Sequence, residues 1–336
     1  MTLGGFLFEW YGPCDTVRVH TSGSTGLPKE MLAEKSRMLA SARTTCDFLG
    51  LTDADTALLC LPLDYIAGKM MVVRSIERGM TLIAVEPSGR PIASLLDLER
   101  RYGKNFDVGF AAMVPMQVYN TLESEEETRR LRSIRHLIIG GGPVDTALAR
   151  RLEEFPNAVW STYAMTETLS NIGMRRLNGP DRSEWYTLFD KVSARLDSDK
   201  CLVIDAPEVC PDTLVTNDIA EIRKSADGSS FQVRILGRKD NVICSGGIKI
   251  HIEEVEARLH ERMSIPFIIT KKKDRKFGEI VVLLYEAGDE EKIRQTCIAS
   301  LPRYQVPKIF MKVKELPYTG NSKPDRRAAM MMAENC

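Results

Sequence analysis

The sequence predicts an α/β fold in which a large first part with a mostly parallel sheet is followed by a small α+β unit. From Met31 to about Arg238, short β-rich runs alternate with helical patterns, which is typical of βαβ units. After Arg238 the alternation stops, and the remaining residues indicate two helices among several strands. A chain of 336 residues is long enough for about two domains.

The elements of the first part follow from short apolar runs and from helical periodicity. Buried strands are predicted at Leu58–Leu61, Thr81–Val85, Val108–Ala112, His136–Ile139 and Ala158–Ser161. Helices are predicted between them at Ser36–Leu49, Ser94–Tyr102 and Val144–Phe155. Because no long helix separates the later runs, a small antiparallel piece is predicted from Cys201–Ile204, Ala220–Ile222 and Phe231–Leu236.

The change of pattern places a boundary at Gly237–Asp240, so the predicted domains are residues 1–237 and 241–336, with a hinge at 238–240. The second domain is predicted to end in a polar tail. Its predicted helices and strands are, in chain order, helix Glu253–Met263, strands Pro266–Thr270 and Ile280–Tyr285, helix Glu290–Leu301 and strand Ile309–Val313.

Composition excludes several classes of function. Forty-six basic residues balance forty-six acidic ones, so no global field favours nucleic acid or an anionic membrane. No run approaches the roughly eighteen apolar residues of a membrane span, and Met1–Trp10 lacks a basic leader. Eight cysteines are scattered without a Cys-x-x-Cys pair, which favours reduced core thiols. We therefore expect a soluble, cytoplasmic protein.

One nine-residue segment, 21–29, has the chemistry of a phosphate-binding loop. Glycines let main-chain N–H groups approach an anion, hydroxyls add donors and a lysine adds a mobile positive charge. A flexible Ser/Gly linker is the alternative interpretation. A proline separates glycine from lysine, so the segment does not fit the Walker pattern. The residues concerned are Thr21, Ser22, Gly23, Ser24, Thr25, Gly26 and Lys29.

This segment resembles the phosphate loop of the acyl-adenylate-forming superfamily, and further motifs of that superfamily follow in order. Tyr163–Glu167 resembles a motif in which the aromatic residue packs on adenine. The resemblance implies that Thr166 contacts phosphate and that Glu167 helps to hold Mg²⁺. Without the family, Thr-Glu after a strand is more often the start of a helix.

Two further segments resemble parts of the superfamily's nucleotide site. Thr216-Asn217-Asp218 resembles a motif whose aspartate binds the ribose hydroxyls, although an Asn-Asp pair alone is an ordinary turn. The glycines that follow the strand His136–Ile139 resemble the superfamily's adenine and acyl-pocket segment. These glycines are Gly140, Gly141 and Gly142.

The segment from Leu236 to Gly247 resembles the superfamily's inter-domain motif. The resemblance implies that Arg238 contacts the nucleotide, that Asp240 is the hinge, and that Gly246 and Gly247 belong to the face that binds coenzyme A. This position agrees with the boundary drawn from the pattern alone.

The segment from Leu316 to Lys323 resembles the terminal motif whose lysine bridges the carboxylate substrate and the α-phosphate. Lys323 is therefore predicted as the catalytic lysine. An isolated lysine near a C-terminus is otherwise most often a solvated surface residue, and only the other motifs favour the catalytic interpretation.

The chain departs from the superfamily in its beginning, because the phosphate loop already starts at Thr21. The resemblance implies an N-terminally shortened adenylate-forming large domain. Leu61–Gly68 resembles the acyl-pocket segment of o-succinylbenzoate–CoA ligases, which are among the shorter members. Tyr65, Gly68 and Lys69 are predicted to line this pocket. Lys69 or Arg74 is a candidate cation for a second carboxylate, and capping a helix or facing solvent is the alternative for both.

The resemblance implies an AMP-forming acid–thiol ligase that uses ATP, Mg²⁺ and coenzyme A, with o-succinylbenzoate as one candidate acid. Two alternatives stay open. The chain could load a separate carrier protein instead of coenzyme A, or it could bind nucleotide without catalysis. The sequence does not fix the oligomeric state, and a homodimer is one alternative.

Overall fold

Three sheets organise the molecule in the computed structural model, which describes residues 1–20, 30–225, 228, 230–263, 265–319 and 324–335. Up to the middle of the chain, the helices and strands are α1 (Leu3–Tyr11), β1 (Thr16–His20), β2 (Glu30–Glu34), α2 (Lys35–Leu49), β3 (Thr56–Leu59), α3 (Ile66–Arg78), β4 (Thr81–Ala84), α4 (Pro91–Tyr102), β5 (Phe110–Met113), α5 (Pro115–Leu122), α6 (Glu125–Arg132), β6 (His136–Ile139) and α7 (Thr146–Leu152).

The second half of the chain is richer in strands. Its elements are β7 (Ala158–Ala164), β8 (Asn171–Arg176), β9 (Tyr186–Leu188), β10 (Ser193–Leu196), β11 (Cys201–Asp205), β12 (Leu214–Lys224), β13 (Phe231–Arg238), a 3-10 helix (Lys239–Asn241), β14 (Val242–Ser245), β15 (Ile248–His251), α8 (Ile252–His260), β16 (Phe267–Asp274), β17 (Gly278–Tyr285), α9 (Glu290–Ser300), β18 (Ile309–Lys312) and α10 (Arg326–Glu334).

Parallel and antiparallel strands share one long sheet. Its order is β10-β11-β12-β13-β9-β8-β7-β6-β5-β3-β4. Strands β4, β3, β5, β6 and β7 pair in parallel, and every pairing from β7 to β10 is antiparallel. The predicted α/β class, the parallel sheet and the antiparallel piece are confirmed, and the two pieces turn out to be one continuous sheet through β7 and β8.

Two apolar cores cover the faces of the parallel half. One core joins α1, α2 and α3 to residues such as Val17 and Val19 of β1. The other joins α4, α5, α6 and α7 to the opposite face, with Leu58 and Ile139 fully buried. A parallel sheet with both faces covered explains why its strands read as continuous apolar runs.

Strands β1 and β2 form a separate two-stranded ribbon. They pair antiparallel from Thr16 opposite Glu34 to His20 opposite Glu30. Residues 21–29, the predicted phosphate loop, connect the paired ends of the two strands and lie outside the described residues. Valines of β1 pack into the core beside α1, so the ribbon is attached to the large sheet by helices.

The small C-terminal unit is built on the sheet β15-β14-β17-β16, with β18 added in parallel to β17. Helices α8 and α9 contribute to one core of this unit, which confirms the predicted α+β character. The predicted polar tail is wrong for residues 326–334, which form α10. Asp325 caps this helix by accepting from Ala328 N–H at 2.9 Å, and Ala329 and Ala333 are buried against the sheet.

Candidate active site

Predicted nucleotide residues lie where β6 and β7 end, at the carboxyl edge of the parallel strands. Gly140 directly follows β6, and its N–H donates to Met113 O at 3.1 Å. A methyl group at Gly140 would lie 2.6 Å from Thr162 Oγ1 of β7, so the Gly140–Gly142 turn packs closely on the neighbouring strand. In α/β sheets, ligands bind outside the carboxyl ends of strands. Gly141 and Gly142 continue this turn toward Pro115 and Val114.

Tyr163 and Asp218 meet although 55 residues separate them in the chain. The Tyr163 hydroxyl donates to Asp218 Oδ2 at 2.6 Å, and the tyrosine is 8% exposed. Burial, followed by the charge of Asp218, raises the pKa of Tyr163. The Asp218 N–H is held by Thr216 Oγ1 at 3.0 Å, which fixes the aspartate at its position on β12.

Arg238 completes this cluster from the end of β13. It stands opposite Asp218 in the β12–β13 register and donates from Nη1 to Asp218 Oδ1 at 3.2 Å. Its Nε and Nη2 both donate to the carboxylate of Asp240 at 2.9 Å, a two-point contact. The hydrogen bond to Asp240 is the main reason that the pKa of Arg238 is raised. The structure therefore brings together Tyr163, Asp218, Arg238 and Asp240, which were predicted from three separate motifs.

Thr166 and Glu167 lie just beyond the end of β7. The main chain turns here, with Leu169 N–H donating to Thr166 O at 2.9 Å, so the alternative interpretation of Thr-Glu as a helix start is wrong. Glu167 is exposed and has no ion-pair partner among the described residues. Such a carboxylate would be available to help hold Mg²⁺, as the resemblance implies. Among the described residues, no cluster of three or more His, Cys, Asp or Glu side chains is suited to a metal.

Two predicted parts of the site lie outside the described residues. They are the phosphate loop, 21–29, and the terminal lysine, Lys323. Their roles stay predictions.

Gly246 and Gly247 form the two-residue tip of the β14–β15 hairpin, because Ser245 pairs with Ile248. Their φ angles are 57° and 85°, as a type I′ turn requires. Gly246 N–H donates to Phe277 O at 2.8 Å, and nothing lies within 4 Å of a side chain placed at Gly247. The tip is a fixed, open piece of main chain on the small unit.

Tyr65 and Gly68 lie at the start of α3, packed onto the segment after β3. Tyr65 is the N-terminal cap residue of the helix. A methyl group at Gly68 would lie 2.2 Å from Pro62 O and 2.8 Å from Leu61 O. This contact lets the first turn of α3 lie directly on the Leu61–Pro62 main chain, and it fixes the direction in which the rest of the helix runs.

Lys69 and Arg74 are both buried in α3, each with 2% of its surface exposed. The alternative that they cap a helix or face solvent is therefore wrong. Lys69 Nζ donates to Arg18 O of β1. Arg74 Nη2 donates to Ser170 Oγ and, at 2.7 Å, to Asn171 Oδ1.

The environment of Arg74 is unusual for a buried cation. No carboxylate in the described part of the chain lies within ion-pair distance, and Arg74 Nε has no hydrogen-bond partner there. The guanidinium lies 6.0 Å from the ring of Phe110, and burial lowers its pKa to about 10, so it stays protonated near neutral pH. Ser170 and Asn171, which hold it, were not predicted from the sequence. Only their place after the Tyr163–Glu167 motif could have indicated them.

None of the described helices has both the length and the apolar character that crossing a membrane requires.

Comparison with known proteins gives a consistent result. The model of the AMP-binding enzyme family matches residues 17–205, more than half of the chain. The 2-succinylbenzoate–CoA ligase of Bacillus subtilis is 25% identical over 334 residues, which cover 91% of this chain and 66% of that enzyme. The chain thus spans about two thirds of the length of this curated relative.

Two solved structures are similar along nearly the whole chain. An acyl-CoA synthetase (AMP-forming)/AMP-acid ligase II-like protein from Dyadobacter fermentans is 33% identical with a TM-score of 0.63, and the match covers 96% of this chain and 91% of that one. The o-succinylbenzoate CoA synthetase of Bacillus subtilis, solved with its acyl-adenylate intermediate, shares the fold with a TM-score of 0.76 at 23% identity, covering 93% and 68%. The extent of the family match and the identity to the Dyadobacter protein establish one conclusion: this chain belongs to the AMP-binding enzyme family.

Proposed function

We propose that the chain is an ATP-dependent, AMP-forming acid–CoA ligase. The observation that carries this proposal is the cluster of Tyr163, Asp218 and Arg238, with Asp240 bound to the arginine. A carboxylate held by a tyrosine and an arginine offers acceptors to vicinal hydroxyls such as those of a ribose. Asp240, the proposed hinge, then connects the nucleotide site to the small unit.

In the first half-reaction, the substrate carboxylate attacks the α-phosphorus of ATP, and pyrophosphate leaves. Lys323 is proposed to stabilise the charge that develops between carboxylate and phosphate, an electrostatic role. Residues 21–29 are proposed to bind the departing phosphates. Glu167 would help to hold Mg²⁺, which supplies charge neutralisation for the polyphosphate when bound.

In the second half-reaction, the thiol of coenzyme A attacks the acyl carbonyl carbon of the adenylate. The bond between that carbon and the phosphate oxygen breaks, and AMP leaves. The small unit is proposed to rotate about Asp240 between the two steps, so that the Gly246–Gly247 tip replaces Lys323 beside the acyl group. Hinge rotations of this kind change the set of residues at a site between steps. The open main chain of the tip suits a narrow pantetheine arm.

The proposed acid is an aromatic dicarboxylic acid of the 2-succinylbenzoate class. A buried cation without a carboxylate partner is costly, and an anionic ligand group that reaches it offsets that cost. Arg74 is such a cation, and it is held by Ser170 and Asn171 three and four residues after Glu167. The name of the Bacillus relative agrees with this choice. Arg74 is proposed to bind the carboxylate that is not activated.

The test is pyrophosphate release by the purified chain with ATP, Mg²⁺ and a panel of acids that includes 2-succinylbenzoate, with and without coenzyme A. Mass spectrometry identifies the acyl-CoA product. Acid-dependent pyrophosphate release without any acyl-CoA would favour transfer to a carrier protein. No release with any acid of the panel would favour nucleotide binding without catalysis.

Arg74 is tested separately with Arg74→Met and a matched control. Arg74→Met should raise the KM for the dicarboxylic acid by about 10- to 100-fold, because one charged hydrogen-bonded contact is lost, and leave the KM for ATP within about twofold. The control Arg132→Met also removes an arginine that lies over a phenylalanine ring, at 5.6 Å from Phe155. If the KM for the acid is equal in Arg74→Met and the wild type, Arg74 does not bind the acid.

A further inference from the structure

Strands β1 and β2, which form a two-stranded ribbon, flank residues 21–29 in the sequence, the predicted phosphate loop. The last pair of the ribbon, His20 opposite Glu30, leads directly into residues 21–29. An isolated pair of strands is only marginally stable in water. The ribbon therefore depends on contacts with the rest of the fold.

One residue of β1 is held by side chains at both of its main-chain polar groups. The N–H of Arg18 donates to Glu9 Oε1 at 3.0 Å, and the carbonyl of Arg18 accepts from Lys69 Nζ. Glu9 belongs to α1 and Lys69 to α3, so side chains from two helices bind the same residue of the strand. These side chains satisfy groups on the strand that another strand would bind in a wider sheet.

One of these two side chains, Lys69, is a buried charge. Lys69 is 2% exposed, and its ammonium lies 5.7 Å from the ring of Phe6 on α1. Buried lysines are rare because desolvation penalises the charge. Desolvation lowers the pKa of Lys69, and the nearby carboxylates of Glu9 and Asp64 oppose that shift. The second oxygen of Glu9, Oε2, is buried without a hydrogen-bond partner among the described residues.

We propose that Lys69 and Glu9 are positioning residues for ATP: they fix β1 at Arg18, three residues before the phosphate loop begins at Thr21. This inference rests on the proposed function for the role of the loop. It assigns Lys69 to the ATP side of the reaction and not to the acyl pocket. At about 3.3 Å per residue, three residues of extended chain from Arg18 span about 10 Å.

The experiment measures ATP binding by calorimetry in the presence of Mg²⁺ and the absence of any acid, and then both KM values. Lys69→Met should raise the Kd for ATP about tenfold and leave the KM for the acid within about twofold. Glu9→Ala should act in the same direction. Glu9→Gln keeps an acceptor for the Arg18 N–H and should weaken ATP binding less. The matched control is Lys104→Met, which also removes a lysine over a phenylalanine ring, at 5.8 Å from Phe106, but an exposed one.

Three results would overturn the inference. If Lys69→Met raises the KM for the acid and leaves the ATP affinity unchanged, Lys69 belongs to the acyl pocket. A lowered Tm with unchanged ATP affinity shows a purely structural role. A wild-type chain that binds no ATP overturns both the inference and the proposed function. If the wild type binds ATP but makes no acyl-CoA, only the proposed function fails. Should Lys69→Met not fold, the comparison of Glu9→Ala with Glu9→Gln decides.

Discussion

Gly68→Ala tests whether the first turn of α3 must lie on the main chain that precedes it. The added methyl group would meet Pro62 O at 2.2 Å, about 1 Å closer than a carbon normally approaches an oxygen. Both sides of the contact are main chain, so no side chain can rotate away. Overpacking costs about 1–3 kcal/mol, and we expect the upper end here. Alanine recovers up to about 1 kcal/mol of helix propensity, so the net destabilisation is about 2 kcal/mol.

The assay is thermal unfolding followed by circular dichroism. A loss of about 2 kcal/mol lowers the Tm by about 4–8 °C for a domain of this size. The control is Gly4→Ala in α1, where nothing lies within 4 Å of the new methyl group. This variant makes the same chemical change in another helix, and it should leave the Tm unchanged or raise it. An unchanged Tm for Gly68→Ala would refute the argument, and Gly68 would then be free for a role in ligand binding.

Three further predictions concern the site, helix α8 and the thiols. Tyr163→Phe removes the hydroxyl that donates to Asp218, so the KM for ATP should rise about tenfold. An unchanged KM would contradict the proposal that Asp218 binds the ribose. Burial raises the pKa of Glu253 above its ordinary 4.5, so the folded state favours the protonated carboxyl group. The free energy of unfolding therefore falls as the pH rises above 4.5. Glu253→Gln should raise the Tm near pH 8 but not below pH 4.5. Burial raises the pKa of Cys60 to about 12, so a thiol reagent should label exposed Cys244 and leave Cys60 unlabelled until the chain unfolds.

Controls for these predictions lie close by in the fold. Tyr186→Phe removes a hydroxyl that contacts Ser161 Oγ at 3.0 Å, and it should leave the KM for ATP within about twofold. Glu254→Gln changes a neighbour of Glu253 on the same helix whose side chain is 42% exposed, so its effect on Tm should not show the same gain near pH 8. If both glutamates behave alike, burial is not the cause.

The sequence predicted elements whose signal is local and missed those whose signal depends on packing. His136–Ile139 was predicted to the residue, because a short apolar run between polar residues indicates a buried strand. Helix α3 was not predicted. Its residues Met70–Val73 are apolar on every side, and a run of that kind fits a strand or a helix equally well. Helix α10 was missed because its two fully buried residues are alanines, whose small side chains give a weak signal of burial.

The same division applies to the site. Each motif could be found by resemblance, since its residues are contiguous. The contact between Tyr163 and Asp218 joins residues 55 apart, and that between Arg74 and Asn171 joins residues 97 apart. Such pairs depend on the order of strands and on the depth of a helix, which no local pattern reports. The charged residues of α3 were the hardest case, because a lysine and an arginine in a helix normally predict an exposed face.

Arg238 contacts both Asp218, the proposed ribose ligand, and Asp240, the proposed hinge. Its guanidinium offers five N–H donors in one plane, and three of them bind Asp218 and Asp240. Under the proposed function, a ribose that binds Asp218 approaches the same guanidinium, while a rotation at Asp240 separates the arginine from its two-point partner. Under that proposal, nucleotide binding and rotation act on one side chain. Only Lys239 separates Arg238 from Asp240 in the sequence, so the proposed nucleotide contact and the proposed hinge are close neighbours in the chain.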